Sequence, residues 1–312
     1  MGIEIEKSLI EPKMVIELDD EPLIRMLADP HMINSETCKR AKIELGEDSQ
    51  LLSRNIIALR DRILEHPELR ARIDDVFLSA FLRTKKHNVE KSFESVKKFY
   101  NIQRTYPVHF DFFIPSEKCY LLKKPLLVVC PQSDYLGRKV VLGFPRHINV
   151  DKFKIEDVFQ YATTLLRLLM EDPQLQVVGL VLVLDLAGFT LLQQARIITP
   201  TVAWLIVNII QECIPFRLRE IHIINQAFHF SALFAMFSPF LKEKLRKKIR
   251  LHGKNYASLH AEVSPKILPP EFGGSGATLA HDFAVTNRFI MSNEDKIKGL
   301  RRLTEKDIEV NS

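Results

Sequence analysis

Apolar residues recur at helical spacing from Arg40 to Glu65: Ile43, Leu51, Leu52, Ile56, Ile57, Leu59, Ile63 and Leu64. Asp74 to Arg83 sets Val76, Phe77, Ala80 and Phe81 on one face, and Asn88 to Tyr100 repeats the pattern with Val89, Phe93, Val96, Phe99 and Tyr100. The spacing predicts a small all-helical domain over residues 41–115, after a leader (1–40) that is irregular or partly helical.

After Pro115 the pattern changes. Pro125 to Pro131 is a short apolar run between prolines and predicts a buried strand; Leu136 to Pro145 predicts a turn and a second strand. Ile155 to Glu171 carries an apolar stripe of Ile155, Val158, Phe159, Ala162, Leu165, Leu166 and Leu169, which predicts a helix. Val177 to Leu186 is apolar on both faces, as a central strand of a covered sheet must be. Thr199 to Ile214 reads as a helix and Arg219 to Asn225 as a strand. Strands alternating with helices predict an α/β domain over residues 116–276, with a parallel or mixed sheet covered by helices. Residues 277–312 are set apart as a C-terminal tail.

One segment breaks the amphipathic rule. In Ala227 to Leu241 only His229, Ser231, Ser238 and Pro239 are not apolar. As a helix it puts Phe230, Leu233, Phe234 and Phe237 on one face and leaves the rest greasy too. Such a helix is buried all round or meets something apolar.

Composition adds little: 46% of the 312 residues are hydrophobic and 27% charged, which excludes chain-wide disorder. Gly and Pro show no period, which excludes a collagen-like chain. Cys38, Cys119, Cys130 and Cys213 are far apart without CxxC spacing, which argues against a zinc ribbon or disulfide framework. Free, mostly buried thiols in a reducing compartment are expected. The acidic start is unlike a secretory signal, and Glu6 stands where a myristoylation pattern needs Ser or Thr. Leu175 to Leu192, interrupted by Asp185, is a poor membrane span. A cytoplasmic protein is expected.

Charge changes the picture more. The formal net charge of +5 resides in one run, Lys242 to Arg250, and the remaining acids and bases balance. Such a run serves as a solvated helix face or binds anionic lipid, nucleic acid or an acidic partner. It directly follows the greasy segment, and that junction is the signature of an element resting at a membrane interface. Catalytic signals are weak. No P-loop, GxGxxG unit, HExxH or GxSxG elbow occurs. Asp185 ends the apolar strand and His222 sits between two isoleucines; they are the candidates for an enzyme reading, beside capping and core roles.

The order of motifs resembles the CRAL-TRIO family. Carrying the likeness are Phe81 to Tyr100, DLAGFTLLQQA from Asp185, PFRLREIHIINQAFHF from Pro215, SPFLKEKLRKKIRLHG from Ser238 and LPPEFGG from Leu268. It spans about Glu47 to Gly276 and is nearest the branch of tocopherol- and retinaldehyde-binding carriers, of an insect type. It implies a helical N-terminal part, then an α/β lipid-binding domain with a mixed, mainly parallel sheet, a hydrophobic cavity and a mobile gate helix. It implies no enzyme activity and no cofactor. One hydrophobic molecule (a retinoid, tocopherol, carotenoid or phospholipid) would be bound and passed between membranes; a ligand-regulated adaptor without transport is the alternative. The implied pocket positions are Phe159, Ala162, Leu166, Leu180, Leu182, Leu184, Ile206, Ile209, Leu218, Ile221 and Ile223, with Phe230, Phe234 and Phe237 from the gate. Leu180, Leu182 and Leu184 alternate onto one sheet face, as a cavity floor requires. Lys85, Arg217, Arg219, Lys244 and Lys248 match a cleft that binds phosphoinositide headgroups such as phosphatidylinositol bisphosphate, making the protein transiently peripheral on membranes. Glu94 departs from that basic pattern. Ala162, Leu166 and Leu184 stand where those carriers place polar pocket residues, so the implied pocket is dry.

Overall fold

The computed structural model describes residues 32–152 and 154–309. Four helices open it: α1 (Ser35–Leu45), α2 (Ser49–Leu64), α3 (Asp75–Thr84) and α4 (Val89–Thr105). Each starts where the side chain of Asn34, Asp48, Asp74 or Asn88 accepts a hydrogen bond from a first-turn N–H. Their apolar stripes meet in one core, with Leu52, Ile56, Leu59, Phe77, Phe81, Phe93, Val96 and Phe99 buried. The boundary drawn at residue 40 falls inside α1, and residues 1–31 of the leader lie outside the described residues. This core also contains Phe159, Met170, Val202, Leu205 and Ile214, so apolar packing runs unbroken across the 115/116 boundary. A buried polar knot reinforces the junction. Arg83 pairs with Glu47 at 2.7 Å and donates to Gln176 at 2.8 Å, and His87 meets Glu47 at 2.8 Å.

A single-turn α5 (Pro107–Phe110) leads into the α/β part. Its elements are β1 (Leu127–Val129), β2 (Lys139–Gly143), α6 (Ile155–Met170), α7 (Pro173–Val178), β3 (Leu180–Asp185), α8 (Leu191–Ile197) and α9 (Pro200–Asn208). Then come β4 (Leu218–Ile224), α10 (Phe230–Phe237), α11 (Glu243–Arg246), β5 (Ile249–Gly253), α12 (Tyr256–His260), α13 (Leu279–Ser292) and α14 (Glu294–Glu309). The strands lie in the order β1-β2-β3-β4-β5, β1 antiparallel and the rest parallel. Alternation gives the sheet two apolar faces. Val140, Leu142, Val181, Val183 and Ile224 pack with Leu259, Val263 and Leu268 on one side. Leu182, Leu184, Ile221 and Ile223 face the other side, toward α6, α9 and α10.

Several elements differ from the sequence reading. Val177 and Val178 end α7 instead of opening the strand: Gly179, at φ +91, makes the break, and a Cβ there would run into the Arg217 carbonyl. The helix expected to Ile214 passes after Asn208 into a π-helical turn over Ile209–Cys213. β5 starts at the last two residues of the basic stretch, where charge masked its short apolar alternation. The stretch set apart as a tail is helical. Val285, Phe289, Ile290 and Ile297 join the main core, and the Thr286 hydroxyl accepts from the Val129 N–H at 2.9 Å. Of the described free cysteines, Cys130 is buried, but Cys38 and Cys119 are exposed, which corrects the expected burial.

Candidate functional site

Between the sheet and α6, α9 and α10 lies a cavity of about 300 Å³. The floor is built from the middle and C-terminal ends of the parallel strands, with Gly143 of β2, Leu182 and Leu184 of β3, and Ile221 and Ile223 of β4. Gly143 matters sterically, because a Cβ there would come within 2.7 Å of the Leu184 Cδ2 atom. Phe159 and Ala162 of α6, Ile206 of α9, and Phe230, Phe234 and Phe237 of α10 complete the expected positions that line it.

Four expected positions lie elsewhere. Leu180 and Leu218 open their strands and pack in the main core, short of the cavity. Leu166 stands one turn beyond Ala162 and packs between the two cores. Ile209 begins the π-turn and points into the helical domain's core. From α9 and the π-turn, Val202, Ile206 and Ile210 line the cavity as an i, i+4, i+8 set visible in the sequence, with Val207 beside them. Leu245 and Ile249 also line it. They are the apolar positions inside the basic run, so that run is amphipathic: its charges face out while two side chains close the cavity.

The greasy segment forms α10, followed by a 3₁₀ turn over Ser238–Phe240 that Pro239 introduces. Leu233 is buried, while Ser231, Ala232 and Ala235 are exposed. Polar contacts hold both ends of this cover. At one end the Gln194 amide meets the His229 ring at 2.9 Å. At the other, Gln211 of the π-turn donates to the Phe240 carbonyl at 3.1 Å and accepts from the Lys242 N–H at 2.9 Å, and Glu212 pairs with Lys242. Just before α10, Phe228 is 98% exposed, and Leu191 and Leu192 are exposed at the start of neighbouring α8.

The five basic positions converge at the other end of β4. Arg217 and Arg219 both reach the Glu44 carboxylate of α1, each at 2.7 Å, and their remaining N–H groups donate to the Val177 and Val178 carbonyls. The Lys248 amine donates to the Leu218 carbonyl. Burial lowers the Lys248 pKa, and Lys244, Arg219 and Arg217 lower it further. Burial likewise lowers that of Lys85; Glu212 opposes this, while Lys98, Lys244 and Lys242 add to it. Lys244 is thus the cation that Lys85 and Lys248 both sense. Glu94 pairs with Lys97 at 2.5 Å. Glu44 and Glu212, the carboxylates that balance the cleft, carried no sequence signal for that role because the cleft cations they meet lie far off in the chain, although Glu44 also pairs with Arg40 one helical turn away.

Asp185 and His222 lie on the sheet face away from the cavity, in separate networks. Asp185 pairs with Arg146 at 2.5 Å and accepts from the Asn225 amide at 2.8 Å. His222 is buried, and its Nδ1 meets His252 Nε2 at 2.8 Å; His252 Nδ1 meets the Ser258 hydroxyl at 2.7 Å. Neither lines the apolar cavity, and no His, Cys, Asp and Glu cluster able to hold a metal occurs among the described residues. No helix among them is long and apolar enough to cross a membrane.

A mixed sheet with an apolar hollow under a latched helix defines a class of protein. The family described as CRAL/TRIO domain matches residues 123–274. Clavesin-2 of Homo sapiens is 33% identical over 247 residues, 78% of this chain and 75% of that protein. Clavesin-1 of Mus musculus is 32% identical over 248 residues, 78% and 69% respectively. The crystal structure of Sfh5 superposes with a TM-score of 0.51 over 76% of this chain and 92% of that one, at 13% identity, a likeness of fold. The chain belongs to the CRAL/TRIO family.

Proposed function

We propose that this protein is a carrier, without catalytic activity or cofactor, that encloses one small hydrophobic molecule and passes it between membranes from the cytoplasm. The observation carrying this reading is the apolar cavity closed by a latched helix. A ligand that loses about 400 Å² of apolar surface to such a site gains about 10 kcal/mol before ordering costs. Release therefore needs a compensating interaction, and the proposal assigns it to membrane docking. Basic residues near an anionic surface contribute about 1 kcal/mol each. Lys85, Arg217, Arg219, Lys244 and Lys248 would receive a phosphoinositide headgroup, which must displace Glu44 from the two arginines. Exposed Phe228, Leu191 and Leu192 are suited to entering the interface. Glu212 shares Lys98 and Lys242, so phosphates that draw those lysines away also loosen the latch on α10.

The test is twofold. Native mass spectrometry of the protein from its own tissue is expected to show one bound apolar molecule; a protein consistently empty contradicts the carrier reading. Lys244→Glu with Lys248→Glu is expected to weaken binding to phosphoinositide vesicles at least tenfold, and wild-type binding should fall with added salt. Undiminished, salt-insensitive binding by the variant refutes the docking surface.

A further inference from the structure

The cavity wall is distinguished by what it lacks. Thirty residues line it, and their polar side-chain atoms come to one hydroxyl, that of Tyr161. That hydroxyl already donates to the Leu127 carbonyl at 3.2 Å. The backbone of the floor is engaged too, since β2, β3 and β4 are paired in register through Leu184 and Ile223. Polar side chains near the wall serve the protein itself. The Thr163 hydroxyl donates to the Phe159 carbonyl at 2.8 Å, and Thr164 accepts from the Phe113 N–H at 2.9 Å. Gln160 binds the Val108 carbonyl at 2.6 Å, and Gln194 binds the Phe189 carbonyl at 2.8 Å besides His229. An aldehyde or carboxylate brought into this space would lose its water and find no free side-chain donor on the wall, and a hydroxyl would find only the oxygen lone pairs of the almost fully buried Tyr161.

Resting on the carrier reading above, we infer that the cargo is a hydrocarbon, an isoprenoid or polyene chain without a hydrogen-bonding group on its buried part. The donor membrane sharpens the choice. In a bilayer an alcohol keeps its hydroxyl at the wet interface, so moving it into this cavity breaks hydrogen bonds that a hydrocarbon never had. An apolar pocket rejects an added hydroxyl by roughly a hundredfold at most. The volume of about 300 Å³ is at the small end of ligand sites, which suits a single chain.

The test presents the full-length protein with neutral phosphatidylcholine vesicles carrying matched pairs: farnesene with farnesol, and phytene with phytol. The protein is re-isolated and its contents are extracted for mass spectrometry. The hydrocarbon of at least one pair is expected to be retained about tenfold or more over its alcohol. Ala162→Ser and Val202→Thr each set a hydroxyl on the wall with little change of volume. Either is expected to shift the ratio several-fold toward the alcohol. Equal or greater retention of the alcohols by the unmodified protein overturns the hydrocarbon assignment and leaves the carrier reading standing. Retention of none of the four overturns both.

Discussion

Two side chains show how single residues tune this molecule. Glu44 holds Arg217 and Arg219 together, and under the proposed docking a headgroup phosphate has to displace it. Glu44→Gln keeps the size and removes the charge, so affinity for phosphoinositide vesicles is expected to rise about fivefold, roughly 1 kcal/mol, in a flotation assay. A fall in affinity would mean that Glu44 orders the cleft instead of competing for it. Ala162 faces the cavity from α6 with only a methyl group. Ala162→Phe is expected to fill the hollow, abolish ligand retention and raise the melting temperature of the ligand-free protein by a few degrees. A scan of the purified variant checks the temperature, and mass spectrometry the loss.

Among the elements, the π-turn after α9 holds the segment after α10, and the β4–β5 pair encloses two histidines in contact. The π-turn carries Gln211, whose side-chain amide clasps the segment after α10 by donating to the Phe240 carbonyl and accepting from the Lys242 N–H. With about 1 kcal/mol for each such bond, Gln211→Ala is expected to speed ligand exchange about thirtyfold in a transfer assay, while the melting temperature falls by only a few degrees. At β4–β5, burial holds His222 down to about 4, and Glu220 only partly offsets this. Burial lowers the His252 pKa as well. Both imidazoles are therefore neutral in the folded protein at pH values where the unfolded chain, titrating near 6.5, binds protons. Stability is complete above about pH 6.5 and is lost as the pH falls toward 4. The melting temperature is expected to drop by roughly 5 °C between pH 7 and 5, and His252→Asn is expected to flatten that slope. An unchanged slope would place the acid sensitivity elsewhere.

At the scale of the whole molecule, the helical part and the α/β part share a core and the Arg83–Glu47–Gln176 knot, so they are expected to unfold in one transition. Burial pushes the Glu47 carboxyl up, but hydrogen bonds from His87 and Arg83 outweigh it and hold the pKa at about 2. That contribution is present above about pH 4.5 and disappears as the pH falls toward 2. Much of this architecture was legible from the chain alone. The 3.6-residue stripes of α2, α3, α4 and α6 and the two-sided apolar run of β3 are local patterns, because each element must bury one face or two. The greasiness of α10 and the basicity after it are local as well. What escaped was relational. Leu180, Leu218, Leu166 and Ile209 have the right residue types and the right faces, yet stand a turn or a strand-end away from the hollow. Glu44 and Glu212 become meaningful only when folding sets them against cations more than a hundred residues distant, as with Arg217 for Glu44 and Lys98 for Glu212. Periodicity fixes which face of an element is apolar, since that depends on neighbours in sequence. Whether that face meets other side chains or an empty space depends on how far along each element its neighbours cross, and only the packed tertiary structure decides that.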